Sequence, residues 1–273
     1  MNSDIQNNKT LMKLEAKDKR KSNRTNAQLN NVLEQAIYIL KENPRITYEQ
    51  QHPIFSYIKI FTDLIQSKLT ITILKNGRDN INTKRNKWFN TIDAYLKPID
   101  QIFLANKFSK ATLFTNTNLV VSNARDPIIT HIWNANRLSD AIRNIGEGMV
   151  DKGFLEIGMR KENKFNYDNL NHKGEYIYPL GIINIYNGNH SISAGLNKSE
   201  GYIVIDEVID ISYLYDIYEF DGKYLINKQT NEKEEIYFEF GAIFEIGRLI
   251  LDKKEVFSEA VQNIINTQEP FKI

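Results

Sequence analysis

The sequence feature that most constrains the fold is a glycine-led turn between an apolar run and a short helical pattern. The apolar run, residues 178–186, predicts a strand, and residues 188–195 predict a turn that opens a helix. Backbone N–H groups at such a helix N-terminus attract phosphate or carboxylate groups. The pattern therefore predicts a mixed α and β structure with a candidate anion site.

The composition excludes several classes of site and protein. The 273 residues contain no cysteine, which excludes disulfides, cysteine nucleophiles, iron–sulfur clusters and thiolate zinc sites. A net charge of +1 argues against coating nucleic acid by charge alone. No stretch approaches the roughly 20 apolar residues of a membrane span, and the polar N-terminus lacks a signal core. We therefore expect a cytoplasmic protein without a membrane partner.

The hydrophobic pattern changes near residue 115 and predicts three regions. Residues 1–24 are polar and basic, which predicts a flexible segment. Residues 25–115 carry apolar side chains at helical spacing, which predicts a helical subdomain. Residues 116–273 alternate short β-branched runs with Gly and Asn turns, which predicts a mixed α/β domain ending in helices.

Within these regions the pattern predicts particular elements. The predicted helices are residues 27–42, a helix from residue 53, and residues 83–96, 99–114, 134–145, 240–251 and 256–265. The predicted strands are residues 119–122, 128–133, 176–186, 202–205, 213–220 and 223–227. The last two flank Asp221-Gly222, a strong hairpin signal.

The turn supplies the first candidate ligand contacts. Gly188 permits a positive φ and the close approach of a ligand. Ser191 or Asn189 can cap the helix, and His190 can donate to an anion or carry a proton, so His190 is the candidate catalytic residue. The alternative is a capped strand–turn–helix with a half-buried histidine, because short glycine motifs often match by chance.

A second set of candidates lies in the predicted helix 134–145. Asn136 and Arg137 occupy its first turn after a predicted strand, a common place for ligand contacts, and Arg137 would add positive charge. Arg143 and Glu147 are four residues apart, and the favoured interpretation is a surface ion pair.

A third set lies in the predicted helix 240–251. Glu245 and Arg248 are three residues apart, which favours an intrahelical ion pair; the alternative is ligand binding with Glu245 as a general base. Gly241 and Gly247 each cost about 1 kcal/mol relative to alanine in a helix interior. This cost predicts close packing of the helix against another backbone.

Metal sites are weakly indicated. A composite site of His131, His190 and an acid is a minor alternative, since no histidine pair has metal-ligand spacing. Asp206, Glu207 and Asp210 either bind a hard cation or, as we favour, form a solvated strand end. We therefore expect no metal site.

Several blocks over residues 128–250 resemble the domain-of-unknown-function family 6710, an uncharacterised bacterial family. The blocks are Ile132-Trp133-Asn134, Asn136-Arg137-Leu138 and residues 144–148, 178–192 and 239–249. The resemblance implies membership of the family and no particular function.

More distantly, the strand–turn–helix–strand unit around the turn is similar to the core of ParB-type partition proteins and sulfiredoxins. In that superfamily a Gly-x-x-Arg turn holds nucleotide phosphates; Gly188 and His190 fit, whereas Ser191 stands in place of the arginine. The substitution removes a bidentate phosphate clamp. Asn189 stands where the sulfiredoxin cysteine would fall, which excludes that reaction.

Together these patterns predict an α+β fold in which an N-terminal helical subdomain packs on a small mixed sheet with a ParB/sulfiredoxin-like core and C-terminal helices. We expect recognition of a phosphorylated ligand, foremost a nucleotide, at the Gly188 turn. The cofactor is left open, with a nucleotide and magnesium as the candidate, and so is enzymatic activity. Two alternatives remain: a DNA-associated ParB-like protein that uses basic residues 13–24, and a protein-interaction module of a mobile element or phage-conflict system.

Overall fold

A computed structural model describes residues 24–76, 112–150, 156–159 and 161–267 of the chain. The predictions for the segment before residue 24, for the helix 83–96 and for residues 99–111 lie outside the described residues. Among the described helices, none combines the length and the apolar character needed to cross a membrane.

Two helices begin the described chain, as predicted. Helix α1 covers residues 24–42 and stops before Asn43-Pro44, because the residue before a proline avoids the helical region. Helix α2 (Pro53–Asn76) carries its proline in the first turn. The predicted apolar stripe of α2 buries Ile54, Phe55, Ile58 and Ile65, whereas Leu64 is 43% exposed.

A five-stranded mixed sheet forms the centre of the fold, in the order β1-β5-β3-β4-β2. Its strands are β1 (Thr112–Ser122), β2 (Ile128–Ile129), β3 (Lys173–Tyr178), β4 (Ile182–Asn187) and β5 (Tyr202–Asp210). The pairs β1–β5 and β3–β4 are antiparallel, and the pairs β5–β3 and β4–β2 are parallel. The predicted mixture of helices and a mixed sheet is confirmed.

Three predicted elements are wrong in extent. The single strand predicted over residues 176–186 is the β3–β4 hairpin, since Pro179 offers no N–H and Gly181 turns the chain at φ 68°. The helix predicted over residues 99–114 is wrong at residues 112–114, which pair with β5. The strand predicted over residues 128–133 is reduced to β2.

The change of pattern near residue 115 coincides with an irregularity inside β1. The register with β5 shifts between Thr115 and Leu119, and both Asn116 (φ 57°) and Asn118 (φ 49°) are left-handed. Asparagine tolerates this conformation better than most residues, so the Asn-rich stretch marks a bulge within one strand. The predicted boundary between residues 115 and 116 falls within this strand, and the division into subdomains stays a prediction.

The remaining elements flank the sheet. They are helices α3 (Ala135–Asn144), α4 (Asn189–Asn197), α5 (Leu214–Ile217), α6 (Phe238–Ile250) and α7 (Glu259–Thr267), a 3₁₀ turn (Lys254–Val256), and strands β6 (Tyr218–Phe220), β7 (Tyr224–Asn227) and β8 (Lys233–Glu235). The predicted helices at residues 134–145 and 240–251 and the Asp221-Gly222 hairpin are confirmed. The helix predicted over residues 256–265 is present but begins only at Glu259. The predicted strand over residues 213–220 is wrong at residues 214–217, which are helical.

The apolar core is continuous across these layers. It joins buried side chains of α1 and α2, both faces of the sheet, and the C-terminal helices α6 and α7. Phe55 of α2 and Tyr178 of β3 both contact the ring of Phe257, which links the N-terminal helices to the sheet and to the C-terminal segment.

Candidate functional site

Two strand–loop–helix units meet at one edge of the main sheet. Strand β2 leads through residues 130–134 into α3, and β4 leads through Gly188 into α4. Because β2 and β4 are parallel neighbours, their carboxyl ends lie at the same edge. Helices α3 and α4 pack against each other. This edge is where open α/β sheets bind ligands.

Three side chains converge there, and we call them the Trp133 cluster: Trp133, Arg137 and His190. The Trp133 and His190 rings lie edge to face with centroids 5.1 Å apart. The guanidinium carbon of Arg137 lies 4.7 Å from the centroid of the Trp133 ring, a cation–π contact. Trp133 is 41% exposed, so the cluster presents an aromatic ring and a cation at the surface.

His190 is half-buried in the cluster, where its surroundings favour the neutral imidazole. Burial lowers its pKa, nearby Arg137 lowers it further, and a hydrogen bond to the backbone of Asn134 opposes both. Its Nε2 atom is buried and has no hydrogen-bond partner within the described part of the chain. His190 therefore retains one unfilled hydrogen-bonding position beside Arg137.

Gly188 has the predicted positive φ, at 78°. A Cβ added at this position would lie 2.6 Å from Cδ2 of His172 and 2.9 Å from the carbonyl oxygen of Asn171. We expected a ligand to approach the backbone of Gly188 closely, but His172 and Asn171 occupy this space instead. Glycine is therefore required at residue 188 to avoid a clash with these two residues.

The two predicted caps of α4 form other hydrogen bonds. Gly188 is the N-cap residue and has no side-chain cap bond. Ser191 Oγ donates to the carbonyl oxygen of Gly188 at 3.0 Å and lies 2.8 Å from Nε2 of His172. The Oδ1 atom of Asn189 accepts from the backbone N–H of His131 at 2.7 Å. Asn189 and Ser191 therefore join the turn to neighbouring segments.

His172 orders the turn from the loop before β3, and no motif in the sequence points to it. Its Nδ1 accepts from the backbone N–H of Asp168 at 3.1 Å, so its Nε2–H donates to Ser191. The ring stacks on Phe165 with centroids 5.2 Å apart. The bond that Nδ1 accepts requires the neutral imidazole, and burial lowers the pKa of His172 against the smaller opposing effect of Asp168.

We expect His172 to titrate below its ordinary pKa of 6.5 in the folded protein. The unfolded chain then binds more protons in acid, so the stability contributed by neutral His172 is present above pH 6.5 and is lost as the pH falls through the lowered folded value. An NMR titration of the histidine signals measures this, with the urea-unfolded protein as reference. A folded pKa at or above the unfolded one would contradict the assignment.

A buried polar chain extends from the same edge into the sheet. Nε2 of His131 lies 2.6 Å from Oδ1 of Asn184, whose Nδ2 donates to Oε1 of Glu175 at 2.9 Å. Glu175 is in register with both Asn184 and Glu207 on the neighbouring strands. Sequence reasoning missed this chain, although its signal was available as a glutamate and an asparagine inside otherwise apolar strands.

Of the candidates in the predicted helix 134–145, only some lie close together in the structure. The Oδ1 atom of Asn134 caps α3 by accepting from the backbone N–H of Arg137 at 2.9 Å, and Asn136 is half-buried beside it. The predicted Arg143–Glu147 pair is wrong: Arg143 pairs with Asp140 at 3.0 Å. Glu147 lies beyond the end of the helix and cannot share its face.

Glu245 and Arg248 form the predicted intrahelical ion pair, 2.6 Å apart. Oε1 of Glu245 also accepts from the backbone N–H of Phe220, and the guanidinium of Arg248 donates to the carbonyl oxygens of Tyr215 and Tyr218. These hydrogen bonds connect α6 to residues 215–220. They use polar atoms of the Glu245 and Arg248 side chains, which are the candidate ligand contacts in this helix.

The two glycines of α6 pack closely, as predicted, but against side chains. A Cβ at Gly241 would overlap the ring of Phe220, and one at Gly247 would overlap the hydroxyl of Tyr215. The predicted contact with another backbone is therefore wrong, because aromatic rings fill the space.

The acidic residues considered for a cation have protein partners. Asp206 pairs with Lys173 at 3.4 Å, and Asp210 accepts from the backbone N–H of Ser212 at 2.8 Å. Both belong to β5 and do not follow a strand. Across the described residues, no three His, Asp or Glu side chains form a group able to hold a metal ion.

A family model described as a family of unknown function, DUF6710, matches residues 14–257, and the chain belongs to that family. The match includes α1 and α2 as well as the blocks that carried the resemblance. Neither the curated proteins nor the solved structures contain a match.

Proposed function

We propose that this protein binds a phosphate-bearing small molecule, foremost a nucleotide, at the Trp133 cluster. The observation that supports this most is the meeting of Arg137 and His190 on one exposed aromatic ring, where α3 and α4 begin. Ser191 carries no charge, so Arg137 supplies the positive charge that a phosphate requires.

Each member of the cluster has a distinct part in this proposal. The guanidinium of Arg137 binds the phosphate through its fork of N–H donors. The N-termini of α3 and α4 carry the positive ends of the helix dipoles, which also favour the negative charge of the phosphate. The exposed ring of Trp133 gives a base a stacking surface. His190 adds one hydrogen bond and is the candidate proton carrier. Magnesium would accompany a nucleotide as its counterion.

We also propose that the unit around the Gly188 turn has a ParB/sulfiredoxin-like core. The order β4, Gly188 turn, α4 and β5 supports it. In this chain the phosphate would depend on Arg137, since the hydroxyl of Ser191 bonds to Gly188 and His172. A cytoplasmic location, a DNA partner and a mobile-element or phage-conflict role stay predictions.

Thermal unfolding with nucleoside mono-, di- and triphosphates, with and without magnesium, tests the proposal. A ligand at 100 times its Kd should raise the free energy of unfolding of the wild type by roughly 2.7 kcal/mol. We expect Arg137→Ala and His190→Ala to lose most of this stabilisation. The α3 cap should survive in Arg137→Ala because it uses the backbone N–H.

Arg143→Ala is the matched control, because Arg143 lies at the other end of α3 in an exposed ion pair. It should retain the full ligand effect. Equal stabilisation of Arg137→Ala and wild type, or no effect at millimolar ligand, would contradict the proposal and turn attention to protein partners.

A further inference from the structure

An open groove of about 610 Å³ lies between α2 and the turn after β1. Polar and charged side chains dominate its lining: Gln51, Ser56, Lys59, Asp63, Ser122 and Arg125. None of the lining residues belongs to the Trp133 cluster or to the Gly188 turn. The volume is typical of small-molecule sites.

Arg125 is fixed in position at this groove by a buried carboxylate. Asp126 is 1% exposed and accepts from the hydroxyl of Tyr48 at 2.5 Å and from the backbone N–H of Ser122 at 2.6 Å. The guanidinium carbon of Arg125 lies 4.5 Å from the centroid of the Tyr48 ring. The ring and the carboxylate hold the guanidinium in place before any ligand arrives, which lowers the entropy cost of binding.

The hydrogen-bonding capacity of Arg125 is not filled by this arrangement. Its Nε lies 3.6 Å from Oδ1 of Asp126, an ion pair that is longer than a hydrogen bond. The Nε atom is buried and has no hydrogen-bond acceptor in the described ranges. The Arg125 side chain as a whole is 32% exposed and lines the groove, and a positioned guanidinium of this kind is suited to a phosphate or carboxylate.

Lys59 supplies a second cation at the groove. Its Nζ pairs with Asp63 at 2.7 Å; the Lys59 side chain is 21% exposed and the Asp63 side chain 53% exposed. Because one partner is in water, the pair contributes little net stability, so the ammonium can turn toward an anion at little cost. Gln51, Ser56 and Asp63 then offer hydrogen bonds to hydroxyl groups.

We propose that this groove binds a small, polar phosphate monoester. Arg125 binds the phosphate bidentately, Lys59 neutralises its second charge, and the other polar side chains bind hydroxyls of the carrier molecule. The site is independent of the Trp133 cluster, and its polar lining suits a polyol phosphate better than an aromatic base.

Calorimetric titration of the full chain with glycerol 3-phosphate tests this proposal. We expect saturable binding to the wild type and at least a tenfold weaker Kd for both Arg125→Gln and Lys59→Gln. Asp63→Asn should tighten binding, because it releases Lys59 and removes a negative charge. Arg143→Ala, which lies outside the groove, should bind like wild type.

Lys59→Gln removes a partly exposed ion pair, and its thermal unfolding temperature will show that the fold is intact. Arg137→Ala is titrated in parallel. Three results would overturn the proposal: no saturable binding at tens of millimolar probe, unchanged affinity in both groove variants, or a loss of affinity in Arg137→Ala alone. The last result would assign the probe to the Trp133 cluster instead.

Discussion

Gly188→Ala is expected to lower the free energy of unfolding by about 3 kcal/mol, from two separate costs. The left-handed backbone at φ 78° costs an alanine about 1–2 kcal/mol. The new Cβ would also lie 2.6 Å from Cδ2 of His172 and 2.9 Å from the carbonyl oxygen of Asn171. Overpacking of this kind adds about 1–3 kcal/mol. Urea unfolding at pH 7.5 measures the total.

Gly148→Ala separates the two costs. Gly148 has nearly the same backbone, at φ 76°, but no atom of the described residues lies within 4 Å of an added Cβ. We expect it to lose only about 1–2 kcal/mol, the backbone cost alone. Equal losses of unfolding free energy in Gly188→Ala and Gly148→Ala would contradict this prediction. That result would mean that His172 and Asn171 move to accommodate the added Cβ, and that close packing does not require glycine at residue 188.

Glu245→Gln is expected to lower the free energy of unfolding by about 3 kcal/mol, the lower end of the cost of breaking a buried ion pair. Glu245 is 8% exposed, and its carboxylate bonds both Arg248 and the backbone of Phe220. The variant leaves the guanidinium partly buried without its counter-charge. The shape of the side chain is kept, so the loss reports charge and hydrogen bonding rather than a cavity.

Asp140→Asn is the matched control because Asp140 and Arg143 are also three residues apart on a helix. Their side chains are 63% and 61% exposed, and water screens the pair. We expect a loss below about 0.5 kcal/mol by the same urea unfolding measurement. If Glu245→Gln lost no more than this control, the pair would not stabilise the link between α6 and residues 215–220, and ligand binding by Glu245 would become the better interpretation.

The predictions that succeeded rest on signals a few residues long. Asn43-Pro44 ends α1, Pro53 opens α2, and Asp221-Gly222 forms a hairpin turn. Gly188 takes the left-handed conformation that its place before a helix required. Proline and glycine act directly on backbone dihedrals, so their effect is readable without knowledge of the rest of the chain.

The failures came where a neighbouring strand or helix outweighed the local pattern. Residues 112–114 were predicted as the end of a helix but pair with β5. The ion pair of Arg143 is with Asp140 because the helix ends before Glu147. Propensity is a weak guide wherever hydrogen bonds to a distant strand are available.

The α+β class, most of the helices, the Gly188 turn and the Glu245–Arg248 pair could be predicted from residue patterns alone. The three-dimensional arrangement was needed to show that Arg137 and His190 share the ring of Trp133, that His172 fills the space at Gly188, and that Tyr48 and Asp126 position Arg125. These contacts join residues far apart in the chain: Tyr48 and Asp126 are 78 residues apart, and His131 and Asn184 are 53 apart. Contacts of that kind depend on how the strands pair and the helices pack, which no local spacing of residues specifies.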